Sequence, residues 1–190
     1  MRITRTSKVL TIAAVLALSL TACSGSGDDS GGDERTVSAE TYMNTLCGEL
    51  QTWLTALQEG GSVISDQLQG AEAEEAREVL GAYLDDAIQA TQEAEAAIGE
   101  AGVPDVEGGA EAAQAAIAGL DAAEQIFVEA RAAVDELPDD RAGFAAGTTE
   151  IGQQIQTALA DNPLTEIEQN TALAEAEAQA ESCVALNAAT

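Results

Sequence analysis

The chain has 190 residues, 34 acidic and 7 basic, with no histidine and a formal net charge of −27. This balance argues against nucleic acid as a partner, because binding it requires a basic footprint. It also excludes catalysis built on histidine, so neither a Ser-His-Asp nor a Cys-His arrangement can form.

The chain begins with Arg2, Arg5 and Lys8 and no nearby acid. An apolar stretch follows from Val9 to Leu20, broken only by Thr11 and Ser19. It is shorter than the roughly 20 residues that span a bilayer, so it reads as the core of a secretory signal rather than a permanent transmembrane helix. The stretch ends in Leu20-Thr21-Ala22-Cys23. A small residue before the cut suits an ordinary signal peptidase, and Cys23 adds further information.

That string, an aliphatic residue, two small residues and a cysteine, resembles the lipobox of bacterial lipoproteins. The resemblance covers the signal alone. It implies removal of residues 1–22 as a signal peptide and a diacylglycerol thioether on the Cys23 sulfur. Cys23 then becomes the new amino terminus, often acylated again. An ordinary secreted protein with a chance cysteine is the alternative. Two or more chains anchor a protein stably, whereas one binds only marginally.

Residues 23–37 are small, polar and acidic and cannot bury enough apolar surface to fold. They read as a flexible tether with an r.m.s. span of about 20 Å. From Cys23 onward the basic residues are Arg35, Arg77, Arg131 and Arg141 against all 34 acids, which leaves −30. Without lysine this part has no Ser-Lys pair, Schiff base or pyridoxal phosphate linkage. Zinc and haem sites built on histidine are excluded, and neither a P-loop nor GxGxxG occurs. Paired carboxylates remain open as catalysts, but among 34 acids their presence carries no information. No catalytic residue, metal ligand or cofactor is assigned. Asp85-Asp86, Asp105, Asp121 and Asp139-Asp140 read as helix-end or solvated-face charges. No segment matches an EF-hand, and Asp139-Asp140 suits helix capping better than weak calcium binding.

Residues 38–188 form the expected domain, long enough for one core. Abundant alanine and scarce aromatics suit helices packed closely through small side chains. The first helix runs from about Ser38, a natural N-cap, to Glu59, with Met43, Leu46, Leu50, Trp53 and Leu57 on one face and Gly60-Gly61 as its stop. Residues 62–70 form a short helix or a packed loop. The second runs from about Ala71 to Ile98 along Leu80, Leu84, Ala87, Thr91 and Ala94. A turn through Gly99, Gly102, Pro104, Gly108 and Gly109 leads to the third, about Ala110 to Leu137. Its face alternates small and large residues through Ala116, Leu120, Ala123, Phe127 and Ala130, which suits close, interlocking neighbours. Pro138-Asp139-Asp140 precedes a fourth helix to about Ala160, with Phe144, Ile151 and Ile155 inward. Asn162-Pro163, with Glu166 in the first turn, restarts a last helix to about Leu186.

Cys47 and Cys183 form an even pair in an oxidising compartment and read as a disulfide, two buried free thiols being the alternative. Cys47 lies about 14 Å into the first helix and Cys183 about 30 Å into the last, at 1.5 Å per residue. Antiparallel alignment brings them level, so one connection should break a simple up-down order, with residues 60–70 the best candidate. The expected fold is all-α, an antiparallel helical bundle of four or five main helices with one disulfide.

The whole chain looks like the small secreted lipoproteins of high-GC Gram-positive bacteria, a likeness of style that implies no activity. It points to the extracytoplasmic face of the cell membrane, with lipid on Cys23 as the membrane contact; a Gram-negative source would mean a periplasmic-facing membrane. The expected function is a non-catalytic envelope domain that meets a protein partner or acts as a spacer. The alternative is a domain binding a small ligand or a cation such as calcium. For it, Trp53 and Tyr83 would line a groove or carboxylates would converge, although core filling explains both aromatics.

Overall fold

The computed structural model describes residues 35–159, 167 and 169–189. The signal, Cys23 and the tether up to residue 34 lie outside the described residues, as do Asn162-Pro163 and Glu166. Six helices are described: α1 Ala39–Gln67, α2 Ala73–Ala101, α3 Gly109–Asp135, α4 Arg141–Leu159, α5 Thr171–Glu177 and α6 Glu181–Ala189. Two short strands, β1 Thr36–Val37 and β2 Val103–Pro104, pair in parallel. The class is all-α, with four long helices and two short ones.

Local chemistry sets most boundaries. The Ser38 hydroxyl accepts from the Thr41 amide and caps α1. The expected stop at Gly60-Gly61 does not occur, and α1 continues through both glycines to Gln67. Gly60 lies under the Tyr83 ring, where a Cβ would come within 2.8 Å of the ring edge. Packing from α2 thus explains a glycine that looks like a terminator in isolation. The break falls instead near Gly70, whose φ of 86° suits a residue without a Cβ. Leu68, just past the end of α1, packs beside Ala73, Ala76 and Phe144.

The buried side chains form three clusters. The largest joins Tyr42, Leu46 and Leu50 of α1 with Ile98 of α2, Leu120 of α3 and Leu173 of α5. A second joins Leu84 of α2 with Phe127 and Val134 of α3 and Ile151 of α4. The third holds Ala73 and Ala76 of α2 beside Phe144 of α4. The N-terminal half of α1 and the C-terminal helices therefore share one cluster, and α4 serves the other two. Between the two largest clusters, Thr91 is fully buried with its hydroxyl satisfied. It donates to the Ala87 carbonyl at 2.8 Å and accepts from the Trp53 indole at 2.9 Å.

The C-terminal segment departs from one continuous rod. It turns at residues 178–180, and Cys183 is the third residue of α6. With Cys183 on a separate short helix, its height along a single rod no longer fixes the direction of the last segment. Residues 60–67, expected as a stop followed by a short helix or packed loop, belong to α1, and the turn falls at residues 68–70. The end of the expected tether joins the fold as well. The Val103 amide donates to the Arg35 carbonyl and the Asp105 amide to the Val37 carbonyl. A two-residue strand offers no alternation to read from sequence.

Cys47 and Cys183 are bonded, with Cα atoms 4.9 Å apart and both residues buried. The link closes a separation of 136 residues and ties α6 to α1. Replacing both cysteines by serine should lower stability by up to about 5 kcal/mol in the chain-entropy model. Thermal melting reads the loss, and hydrogen exchange should show the amides of α5 and α6 opening before those of α2 and α3.

Candidate functional site

The α2–α3 pair carries the clearest convergence of charge. Glu95 projects from α2, while Asp121 and Glu124 lie three residues apart on α3. Residues at that spacing share one helix face. The two stripes beneath them, Ala94 of α2 with Leu120 and Ala123 of α3, are buried. Their burial carries the flanking carboxylates to the rim of the seam. One oxygen from each of Glu95, Asp121 and Glu124 lies within 4.8 Å of the others. Gln92 donates to Glu124 Oε1 at 2.7 Å and holds one member in place. Glu95 is pushed above the usual carboxylate range, first by partial burial and then by the charges of Asp121 and Glu124.

Three hard oxygen donors in this geometry match part of what a divalent cation such as calcium takes. Cations neutralise such a cluster, and exposed acidic groups also gather without one. In the sequence Asp121 reads as a solvated-face charge, and local spacing does not distinguish Glu95 and Glu124 among the 34 acids. The signal emerges only once α2 and α3 are in register. The Gln92–Glu124 bond and the Arg131–Asp85 pair fix that register along the seam.

Trp53 and Tyr83 both serve as packing and hydrogen-bonding residues between α1 and α2. The Trp53 indole is bonded to Thr91, and the Tyr83 hydroxyl donates to the Leu57 carbonyl at 3.3 Å. Both rings pack against the core clusters. Tyr42 is more deeply buried than either, and burial pushes its hydroxyl up to about 12. A cavity of about 200 Å³ lies elsewhere, where the end of α2 meets α3, lined by Arg35, Ile98, Gly102, Gln114 and Ile117 among others. That is below the usual 300–1,000 Å³ of small-molecule sites.

Arg77 and Arg131 tie elements of the fold together. Arg77 follows Glu74 by three residues on α2, yet it bonds the Leu137 carbonyl and Asp139 and stacks over Phe144 with its guanidinium carbon 5.6 Å from the ring centre. Reach across the α3–α4 connection, invisible in local spacing, decides that partner. Arg131 pairs with Asp135, as its spacing suggests, and also with Asp85 of α2. Asp140 accepts from the Gly143 amide at 2.9 Å, the capping role expected of it. Arg141 is exposed at the start of α4. Cys23 lies outside the described residues, and Cys47 and Cys183 are joined as described above.

The chain matches no protein-family model, no curated protein and no solved structure.

The raised Glu95 carboxyl has a sign consequence. A carboxyl shifted upward in the fold is disfavoured when ionised, so its stability contribution is full below the unfolded value and is lost as pH rises through the folded one. Glu95→Gln should therefore raise the melting temperature at pH 7. The gain should shrink to nothing as pH falls below the carboxylate range, a comparison that melting curves of the two proteins across pH decide.

Proposed function

We propose that this protein is a lipoprotein held on the extracytoplasmic face of the cell membrane by lipid on Cys23, and that its helical domain is non-catalytic. The domain then serves as an envelope spacer or meets another protein. The observation that carries this reading is the sequence Leu20-Thr21-Ala22-Cys23 after a basic start and a twelve-residue apolar stretch, followed at once by an acidic Gly/Ser segment. The bonded Cys47–Cys183 pair supports an oxidising location. Among the described residues no helix is long and apolar enough to cross a membrane. A surface with so few cations is repelled by anionic headgroups, which leaves membrane contact to the lipid.

The same reading takes the long helices as an antiparallel bundle. Trp53 meets Thr91 and Leu57 meets Tyr83, so numbers rise along α1 as they fall along α2. Gln92 with Glu124 and Asp85 with Arg131 repeat that relation between α2 and α3.

A second reading, cation binding, rests on the convergence of Glu95, Asp121 and Glu124. It is compatible with anchoring and would give the domain a ligand-dependent stability.

Cys23→Ser should abolish lipidation and the cleavage that depends on it, and shift the protein out of the membrane fraction. A mature protein that stays membrane-bound contradicts the anchor. For the second reading, millimolar calcium should raise the melting temperature of the wild type and leave Asp121→Asn unmoved. An equal response from both proteins removes the three carboxylates from consideration.

A further inference from the structure

Of the four arginines that follow Cys23, Arg77 and Arg131 sit within α2 and α3, and Arg141 opens α4. Arg35 differs from all three. It directly precedes β1 outside any helix, and it is exposed. No lysine accompanies it in this part of the chain.

A trypsin-like serine protease reads two groups at such a residue. Its acidic pocket takes the guanidinium, and its oxyanion hole takes the carbonyl of the bond to be cut. Helical backbone must unwind before either can be presented, whereas extended backbone is ready. At Arg35 both groups are already engaged by the fold. Nη2 donates to the carbonyls of Glu100 at 2.6 Å and Ala101 at 3.1 Å, the last residues of α2. The Arg35 carbonyl accepts from the Val103 amide at 2.9 Å. These contacts cap α2 with a cation at its negative end. They also occupy the two groups a protease needs, so docking and cleavage exclude each other. Gly102 shows how closely the strap is seated, because a Cβ there would fall on the Arg35 carbonyl oxygen, and its φ is 93°.

We propose that the Arg35–Thr36 peptide bond is a processing site for an arginine-specific serine protease, guarded by the docking of Arg35 on the end of α2. Water adds across the bond, leaving a carboxylate on Arg35 and an amine on Thr36. The Asp105–Val37 hydrogen bond and the Cys47–Cys183 link both lie on the product side of the cut. The domain from Thr36 onward therefore keeps its fold, while the end of α2 loses its arginine. If Cys23 carries the lipid, as proposed above, the cut frees the domain from the membrane. The cut site itself does not depend on that reading.

Limited trypsin digestion of the purified protein, followed by intact-mass measurement, tests the proposal. From residue 35 onward, the first cut should fall after Arg35 and yield a folded product of residues 36–190. Gly102→Ala, which displaces the strap, should speed that cut by about tenfold, since cleavage tracks the population of the open form. Cuts after Arg77 and Arg131 should keep their rates. Arg35→Gln should abolish the product. A first cut after Arg77, Arg131 or Arg141 overturns the proposal, as does a Gly102→Ala effect equal at Arg35 and Arg77. Trypsin applied to membranes should release residues 36–190 into the supernatant. A correct cut in protein that never sedimented with membranes would count against the Cys23 anchor and leave the cut site standing.

Discussion

Small side chains let α2 and α3 come together, and the remaining elements attach to that seam. Ala87 and Ala94 on α2, with Ala116, Ala123 and Ala130 on α3, are buried. Residues of this size leave little between two helix backbones, and the larger Leu84, Leu120 and Phe127 fill the intervals. α1 is fastened onto α2 through the Trp53–Thr91 hydrogen bond. α4 is fastened through the Arg77 guanidinium, which reaches from α2 to Leu137 and Asp139. The N-terminal strap and the start of α5 both attach where α2 gives way to α3. Arg35 holds the last carbonyls of α2, and the Asn170 amide donates to the Glu107 carbonyl.

Apolar packing has to carry this fold because the charges oppose it. Residues 38–188 carry 30 acids against Arg77, Arg131 and Arg141, and these charges repel one another and weaken the compact state, while keeping it soluble. The available cations are placed where they act on structure. Arg35 meets the negative end of a helix, Arg77 bridges a connection and Arg131 joins two helices. Their ion pairs are partly exposed and individually modest. Their worth lies in position, since each spans elements distant in sequence. The disulfide adds a covalent tie at the end of the chain, where α5 and α6 are too short to hold by themselves. Glu95, Asp121 and Glu124 show the opposite arrangement, with like charges gathered at the seam without an arginine among them.

How much of this was legible depended on the range of each interaction. The apolar stripes of the long helices follow from local spacing, and α2, α3 and α4 begin and end within a few residues of the sequence reading. The cysteine pair followed from compartment chemistry. Gly60 misled because its reason lies on another helix, under the Tyr83 ring. The turn between α5 and α6 has neither glycine nor proline to mark it. The strap has two paired residues, too few for a period, and Gly102 served as a turn marker when it is also the seat of Arg35. The carboxylate cluster needed the register of two helices, which no single segment encodes.

Taken together, the chain is an acidic helical domain whose proposed hold on the membrane is chemical rather than electrostatic, through one lipidated residue and a short acidic spacer. That claim is most directly tested by intact-mass spectrometry of the protein extracted with detergent from the membranes of its own cells. The account predicts a chain that begins at Cys23 and carries the added mass of diacylglycerol. A chain retaining residues upstream of Cys23, or one beginning at an unmodified Cys23, would contradict it.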